Sequence, residues 1–154
     1  MLYIISNKTV VMKGIIIISL IILNMSGIAQ ETDWDETSLK NHWEQNGIDK
    51  LEGIYEKVGN RYGASDYQLG LKKTKKGYIL IFLSCSSKIA WQVGKIKAYL
   101  TSTANPSLFK TIWIFNKNDP YNNVYVKFQD ETMKVVWTDG KPTDFYLKIY
   151  PINY

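Results

Sequence analysis

The sequence predicts an all-β fold: eight antiparallel strands in a meander that closes into a barrel, preceded by one short helix. From residue 51 onward, apolar and polar side chains alternate with a period of two in eight separate runs. Residues typical of turns separate these runs, and most of the gaps are too short for the crossover that parallel neighbours need. Because closure removes the exposed edges of an eight-stranded sheet, we rank the barrel above a two-layer sandwich.

Residues 1–29 have the features of a cleavable signal peptide. Lys8 and Lys13 supply positive charge, an apolar run follows them, and Gly27-Ile28-Ala29 offers small residues for cleavage. The apolar run is too short to span a bilayer comfortably, since a transmembrane helix needs about 20 apolar residues. We therefore expect a secreted or periplasmic protein, cleaved near Ala29-Gln30, with no stable membrane span. An uncleaved anchor or a buried core helix is the alternative.

A single short helix is predicted between the signal peptide and the strands. Thr37 or Asp35 can cap its start, Leu39 and Trp43 lie four residues apart on one face, and Gly47 ends it. With Trp34 and Trp43, this helix is a candidate plug for one end of the barrel.

The chain after the signal peptide thus divides into an acidic lead with this helix, 30–50, and the barrel domain, 51–154. The third run of the barrel domain is apolar on both of its faces. In the last run, Phe145, Leu147 and Ile149 are assigned to the inside of the barrel. The eight runs cover residues 51–58, 66–73, 78–85, 95–102, 108–115, 124–128, 133–137 and 144–150.

Aromatic residues make up 14% of the chain, and this surplus is the most informative feature of its composition. On the inside of a barrel they either fill the core or line an apolar pocket, with tyrosine hydroxyls to orient a ligand. On the outward faces, Tyr99, Tyr146 and Tyr150 are candidates for a contact patch for a protein or a sugar. The candidate ligand-binding residues are the aromatic side chains assigned to the inside: Tyr55, Tyr67, Phe109, Trp113, Phe115 and Trp137.

Net charge argues against a nucleic-acid partner. Removing residues 1–29 takes away two of the 19 basic residues and none of the 14 acidic ones, which leaves a net charge of +3. So mild an excess is far from the strongly basic balance of nucleic-acid-binding domains. The basic cluster at 72–76 is expected to be a hairpin tip that keeps an edge soluble, with anionic lipid, glycan or peptide as alternative contacts.

No set of residues typical of catalysis or of a cofactor is present, so we expect no enzyme, no cofactor and no metal. His42 is the only histidine, expected on the exposed side of the helix, and Cys85 is the only cysteine, expected to be buried and inert. Glu52 and Glu56 share a strand face about 13 Å apart, too far for a glycosidase pair, and are expected to be exposed. The remaining possibility is a calcium contact where Asp130-Glu131 approaches Asp139 near a hairpin end.

Two resemblances extend this interpretation. The order of elements resembles the lipocalin and fatty-acid-binding (calycin) superfamily, with Gly53-Ile54-Tyr55 at the position of the lipocalin Gly-x-Trp on the first strand. This likeness implies a lipocalin-like barrel. The stretches 51–56, 94–98 and 146–151 (LEGIYE, GKIKA and YLKIYP) resemble uncharacterised secreted β domains of Bacteroidota, some of which accompany trypsin-like peptidases. That second likeness implies export and assigns no residue a role.

These observations favour a secreted, non-enzymatic binding module that holds a small apolar or amphipathic molecule in its barrel. The alternative is an interaction domain of the cell envelope that docks an exported partner, such as a peptidase, through a strand edge or the outward tyrosines.

Overall fold

The computed structural model describes residues 31–59, 67–86, 91–115 and 119–152. The predicted signal peptide at 1–29 lies outside these ranges. One helix precedes eight strands, and the bounds are α1 (Glu36–Asn46), β1 (Gly53–Val58), β2 (Gln68–Thr74), β3 (Gly77–Ser84), β4 (Ile96–Ser102), β5 (Leu108–Ile114), β6 (Pro120–Gln129), β7 (Thr132–Trp137) and β8 (Asp144–Tyr150).

The strands form a closed antiparallel barrel in sequence order. Each strand pairs with the next one along the chain, and β8 returns to pair with β1. This confirms the predicted barrel over the sandwich. No helix among the described residues combines the length and the apolar character that crossing a membrane requires.

Alternating side chains from all eight strands meet inside the barrel and form its main core. Burying this apolar surface is the chief favourable contribution to folding, at roughly 25 cal/mol for each Å² removed from water. The buried members are Tyr55, Leu69, Leu71, Leu80, Phe82, Ala98, Leu100, Phe109, Trp113, Val124, Val126, Phe128, Met133, Val135, Trp137 and Tyr146.

The assignment of faces on β8 was wrong. Tyr146 is 2% exposed and lies inside the barrel, whereas Phe145 and Leu147 are 42% and 49% exposed on the outside. An error of one residue moves every side chain of a strand to the opposite face. The apolar character of Phe145 and Leu147 suggested that these two residues face the interior. Tyr146 occupies that position instead, since a tyrosine ring fills interior volume as well as an aliphatic side chain does.

Helix α1 packs on the outer wall of the barrel and does not plug an end, contrary to the prediction. Its buried residues Leu39 and Trp43 join Ile54, Ile81 and Leu83 in a second, smaller core outside β1 and β3. The outward face of β3 is apolar because this helix covers it, which accounts for a strand that is apolar on both faces.

The ends of α1 and its close approach to the barrel follow from local sequence. Asp35 is the N-cap and accepts a 2.7 Å hydrogen bond from the Ser38 backbone N–H, while Gly47 with a φ of 79° ends the helix. Gly70 of β2 lies beneath the helix, where an added Cβ would collide with the Leu39 side chain. The absence of a side chain at Gly70 therefore allows Leu39 to reach the barrel wall.

Candidate functional site

The two ends of the barrel differ in how they are closed. We call the end at which β1, β3, β5 and β7 begin the capped end, because the chain between α1 and β1 lies there. The opposite end, at which the same strands finish, we call the aromatic end, since Trp91, Phe115, Tyr121 and Trp137 gather there.

The capped end is closed by Leu51, whose side chain packs against the interior core. Asp49 anchors this segment by accepting hydrogen bonds from the Tyr78 hydroxyl at 2.7 Å and from Lys73 Nζ at 2.6 Å. Burial opposes ionisation of the Asp49 carboxyl, but the hydrogen bonds from Lys73 and Tyr78 outweigh it and hold the pKa of Asp49 below its ordinary value. The ionised carboxylate thus ties the segment to β2 and β3.

Glu52 completes the anchoring of this segment and is buried, contrary to the expected exposure. Its carboxylate oxygens accept backbone hydrogen bonds from Asp49 at 2.9 Å and Lys73 at 2.8 Å. Glu56 is half-buried and accepts a 2.9 Å hydrogen bond from Gln68 Nε2. Both carboxylates have structural partners, and neither faces the barrel interior as part of a catalytic pair.

A cleft of about 460 Å³ lies beside Leu51 at the capped end, with Tyr55 and Phe128 in its wall and a polar rim that includes Glu131. The Tyr55 hydroxyl donates a 2.8 Å hydrogen bond to the Leu51 carbonyl oxygen. Tyr55, one of the predicted ligand-binding residues, therefore helps to hold the closing segment in place.

The structure divides the six predicted ligand-binding residues between the two ends. Tyr55 and Phe109 both contact Phe128 at the capped end, with ring centroids 5.9 Å and 5.6 Å from that of Phe128. The four others lie at the aromatic end: Tyr67, Trp113, Phe115 and Trp137. Aliphatic side chains fill the barrel between the two groups.

Rings at the aromatic end form a continuous set of contacts. Trp137 lies 5.4 Å from Trp113, 5.7 Å from Phe115 and 6.1 Å from Tyr121, measured between ring centroids. The indole of Trp137 donates a 3.1 Å hydrogen bond to Asp144. Phe115 and Tyr121 are only partly buried, so this cluster presents aromatic surface to a molecule approaching the barrel mouth.

Tyr67 belongs to the same end through a second group of rings. Its ring centroid is 5.4 Å from that of Phe82 and 6.4 Å from that of Tyr146. Phe82 in turn lies 6.5 Å from Trp91. Burial raises the pKa of Tyr67 and of Tyr146, so both phenols are neutral over the physiological range and available only as hydrogen-bonding groups.

Lys97 is a candidate site residue that the sequence analysis missed. The alternation of β4 places it outside, but a bulge interrupts the strand: Leu80 pairs with Ala98 and Ile81 pairs with Ile96, which leaves Lys97 as an extra residue. Its side chain is buried, with only 6% of the residue exposed. The bulge turns the ammonium group toward the rings of the aromatic end.

The ammonium of Lys97 is surrounded by aromatic faces. Its Nζ lies 3.7 Å from the ring centroid of Trp91, 5.8 Å from that of Trp113 and 6.0 Å from that of Phe115. Within the described ranges, no carboxylate lies within 4 Å of this nitrogen. Burial without an anionic partner disfavours the charged form and lowers the pKa of Lys97 to about 7.

Lys141 lies at the same mouth but is electrostatically different. Its Nζ is 4.5 Å from the ring centroid of Tyr121 and 5.5 Å from that of Trp137, and it forms a 2.7 Å ion pair with Asp139. Hydrogen bonds from Lys141 and Tyr121 lower the pKa of Asp139 to about 2. The charge of Lys141 is therefore compensated by a neighbouring carboxylate, whereas no carboxylate of the described residues pairs with Lys97.

Other polar candidates do not assemble into a reactive site. His42 is half-buried rather than exposed: its Nε2 is 2.8 Å from Lys72 Nζ and its ring packs 5.2 Å from Trp34. Cys85 is half-buried against the interior core. The calcium hypothesis was wrong because Asp130-Glu131 lies in the β6–β7 turn at the capped end, whereas Asp139 lies at the aromatic end. In the described part of the chain, no three metal-ligating side chains come together.

The outward tyrosines do not form the predicted contact patch. Tyr146 is inside the barrel, and Tyr150 stacks on Trp43 of α1 at a centroid distance of 5.8 Å, with Lys40 above it. Tyr99 is partly exposed on β4, so none of the three shares a surface with another. Closure of the barrel also leaves no unpaired edge among the described strands.

Comparison with protein-family models, curated proteins and solved structures finds no match to this chain.

Proposed function

We propose that this chain is an exported, non-enzymatic binding module that takes a small amphipathic molecule at the aromatic end of its barrel. The apolar part of the ligand lies on the partly exposed rings of Phe115 and Tyr121, and its anionic or carbonyl group meets Lys97. One observation carries this proposal: a buried lysine ammonium, walled by aromatic rings, with no carboxylate partner in the described parts of the chain.

Buried charges in proteins are normally paired, because an isolated ion loses several kcal/mol of hydration on leaving water. The aromatic ring faces offset part of this lost hydration energy for Lys97, since a desolvated cation over an aromatic ring is stabilised by about 2 kcal/mol. A ligand carboxylate would supply the missing countercharge. Apolar walls with a few convergent polar groups are typical of small-molecule sites, which supports placing the ligand here.

The capped end is a poorer candidate for the same role. Leu51 packs against the interior core there, and the segment that carries Leu51 is fixed by hydrogen bonds to Asp49, to Glu52 and, from Lys148 Nζ at 2.9 Å, to the Lys50 carbonyl oxygen. Opening it would break these bonds together. A ligand therefore reaches the barrel with less rearrangement from the aromatic end.

Absence of catalysis is also part of this proposal. The only histidine of the chain, His42, lies on α1 at the outer wall, where it contacts Lys72 and Trp34. Among the described residues, no hydroxyl or thiol is hydrogen-bonded to its imidazole, as acyl transfer would require. We expect binding without turnover.

Titration with decanoate, a small anionic amphiphile, tests the proposed site. We expect saturable quenching of tryptophan fluorescence, because Trp91, Trp113 and Trp137 all lie at the aromatic end. The Lys97→Met variant removes the cation that meets the carboxylate and is expected to bind decanoate at least about tenfold more weakly, a loss of about 1.4 kcal/mol. Lys127→Met, on the exposed face of β6, is the matched control and should bind as the wild type does. Equal affinity of all three proteins, or no saturable binding, would refute the site.

The alternative function, an envelope interaction domain that docks an exported partner such as a peptidase, is favoured by a different surface from the one predicted. Tyr125 of β6 and Val136 of β7 are directly paired and exposed, and Ile112 and Phe145 are exposed on the flanking strands. Lys97 has no part in that outer face. Sensitivity of binding to Lys97 therefore separates the two functions.

A further inference from the structure

We propose that Lys97 is a nucleophilic amine that forms a reversible imine with apolar aldehydes or ketones bound at the aromatic end. This inference deepens the proposed function and depends on it, since the carbonyl compound must first enter the ring cluster. The observation behind it is the enclosure of the Lys97 side-chain nitrogen by Trp91, Trp113 and Phe115, with no carboxylate of the described residues close enough to hold it as an ammonium ion.

Imine formation requires a neutral amine, because only the deprotonated nitrogen has a free electron pair. Desolvated lysines in apolar pockets supply such amines in enzymes that form Schiff bases. Lys97 fits this environment, as burial brings its pKa to about 7 and leaves a large neutral fraction near neutral pH. For an ordinary surface lysine with a pKa of about 10.4, only about one molecule in 2,500 carries the neutral amine at pH 7.

The reaction balances without a redox partner. The electron pair of Lys97 Nζ attacks the carbonyl carbon, the C=O π pair moves to oxygen, and that oxygen takes a proton from water while the nitrogen releases one. The resulting carbinolamine loses its oxygen as water, and a C=N bond replaces the C–OH bond. Amine and aldehyde thus give imine and one water molecule, and the reverse reaction is hydrolysis.

Aromatic walls favour this product in two ways. They exclude bulk water, which limits hydrolysis of the imine, and their negative faces stabilise the protonated iminium as they do the ammonium. Lys141, over Tyr121 at the same mouth, is a natural comparison. Its ion pair with Asp139 raises the pKa of Lys141, so it remains protonated and a poor nucleophile.

Reductive trapping with decanal tests the inference. The purified protein is incubated at pH 7 with decanal and sodium cyanoborohydride, which reduces the C=N bond to a stable secondary amine. We expect one decyl group per chain, located at Lys97 by peptide mapping, formed at least about tenfold faster than at Lys141. Lys97→Arg retains a cation but lacks a nucleophilic amine, so it should give no such product.

Failure of the inference is distinguishable from failure of the binding site. Decyl groups spread over the exposed lysines, with the same pattern in Lys97→Arg, would overturn imine formation while saturable decanoate binding still supported the site. If decanoate also failed to bind the wild-type protein, the binding proposal itself would fall. Selective labelling of Lys97 supports both the binding site and imine formation.

Discussion

Replacing Lys97 with methionine is expected to stabilise the protein at pH 6 by on the order of 2–4 kcal/mol of unfolding free energy. Methionine fills a similar volume among Trp91, Trp113 and Phe115 but carries no charge to desolvate. The expected gain is smaller than the whole free-energy cost of burying the charge, which the lowered pKa of about 7 reflects. The reason is that the variant also loses the favourable contacts between the ammonium and the aromatic rings. So large a gain from one substitution would identify a residue kept for function.

The stabilising effect of Lys97→Met should depend on pH in a defined direction. Below pH 7 Lys97 is protonated in both the folded and the unfolded chain, so the wild type bears the full cost of the buried charge. Between pH 7 and about 10.4 the unfolded chain binds more protons, and the stability of the wild type rises relative to the variant by up to about 1.4 kcal/mol per pH unit. The advantage of methionine should therefore shrink as pH rises.

Urea unfolding at pH 6, 8 and 9.5 measures this difference. The other charged or titratable groups near the aromatic end are present in both proteins, so their contributions largely cancel in the comparison. They include Asp139, Lys141, Asp144, Tyr67, Tyr121 and Tyr146. Lys127→Met, which removes an exposed charge, should differ from the wild type by about 0.5 kcal/mol or less at every pH. A Lys97→Met difference that stays constant across this range would contradict the proposed desolvation.

Gly53→Ala is the substitution from which we expect the largest loss of stability, about 3 kcal/mol or more. Gly53 has a φ of 153°, a conformation essentially limited to glycine, and an added Cβ would overlap the backbone carbonyl oxygen of Tyr150 on β8. That oxygen belongs to β8, the strand that closes the barrel against β1. Relieving the overlap with the added Cβ would therefore separate β1 from β8. Thermal or urea unfolding of the variant measures the loss.

Gly47→Ala is the matched control for Gly53→Ala. Gly47 also has a positive φ, 79°, but an added Cβ there meets no atom within 4 Å. It should cost only the strain of a backbone conformation used almost only by glycine, about 1–3 kcal/mol. Similar losses at the two positions would show that the contact between β1 and β8 does not limit stability.

Much of the fold follows from short-range patterns in the sequence. Strands with one face in the core and one in water, such as β6 with Val124, Val126 and Phe128, show a clear alternation, and their short turns dictate antiparallel neighbours. Asp35 and Gly47 likewise mark the ends of α1 through local chemistry. These features depend on residues a few positions apart, and the sequence displays them directly.

What the sequence could not predict depends on long-range placement. The bulge at Lys97 arises from the pairing of β4 with β3, and an alternation rule assigns an uninterrupted strand instead. The position of α1 is another example: β3 is apolar on both faces, a pattern that signals a covered outer wall, yet nothing in the helix specifies which wall it covers. Candidate site residues were therefore found as a set of inward aromatics, without the lysine that distinguishes one barrel end from the other.

The most direct test of the central claim, that Lys97 is a desolvated and uncompensated amine within the barrel mouth, is an NMR titration of this side chain in protein labelled with ¹³C-lysine. Comparison with Lys97→Met assigns its signal. The structure predicts a midpoint near pH 7 for the pKa of Lys97, far below the value of about 10.4 for an unperturbed lysine side chain. A Lys97 midpoint above pH 10 would show that the ammonium is hydrated or paired, and would contradict both the binding site and the reactive amine.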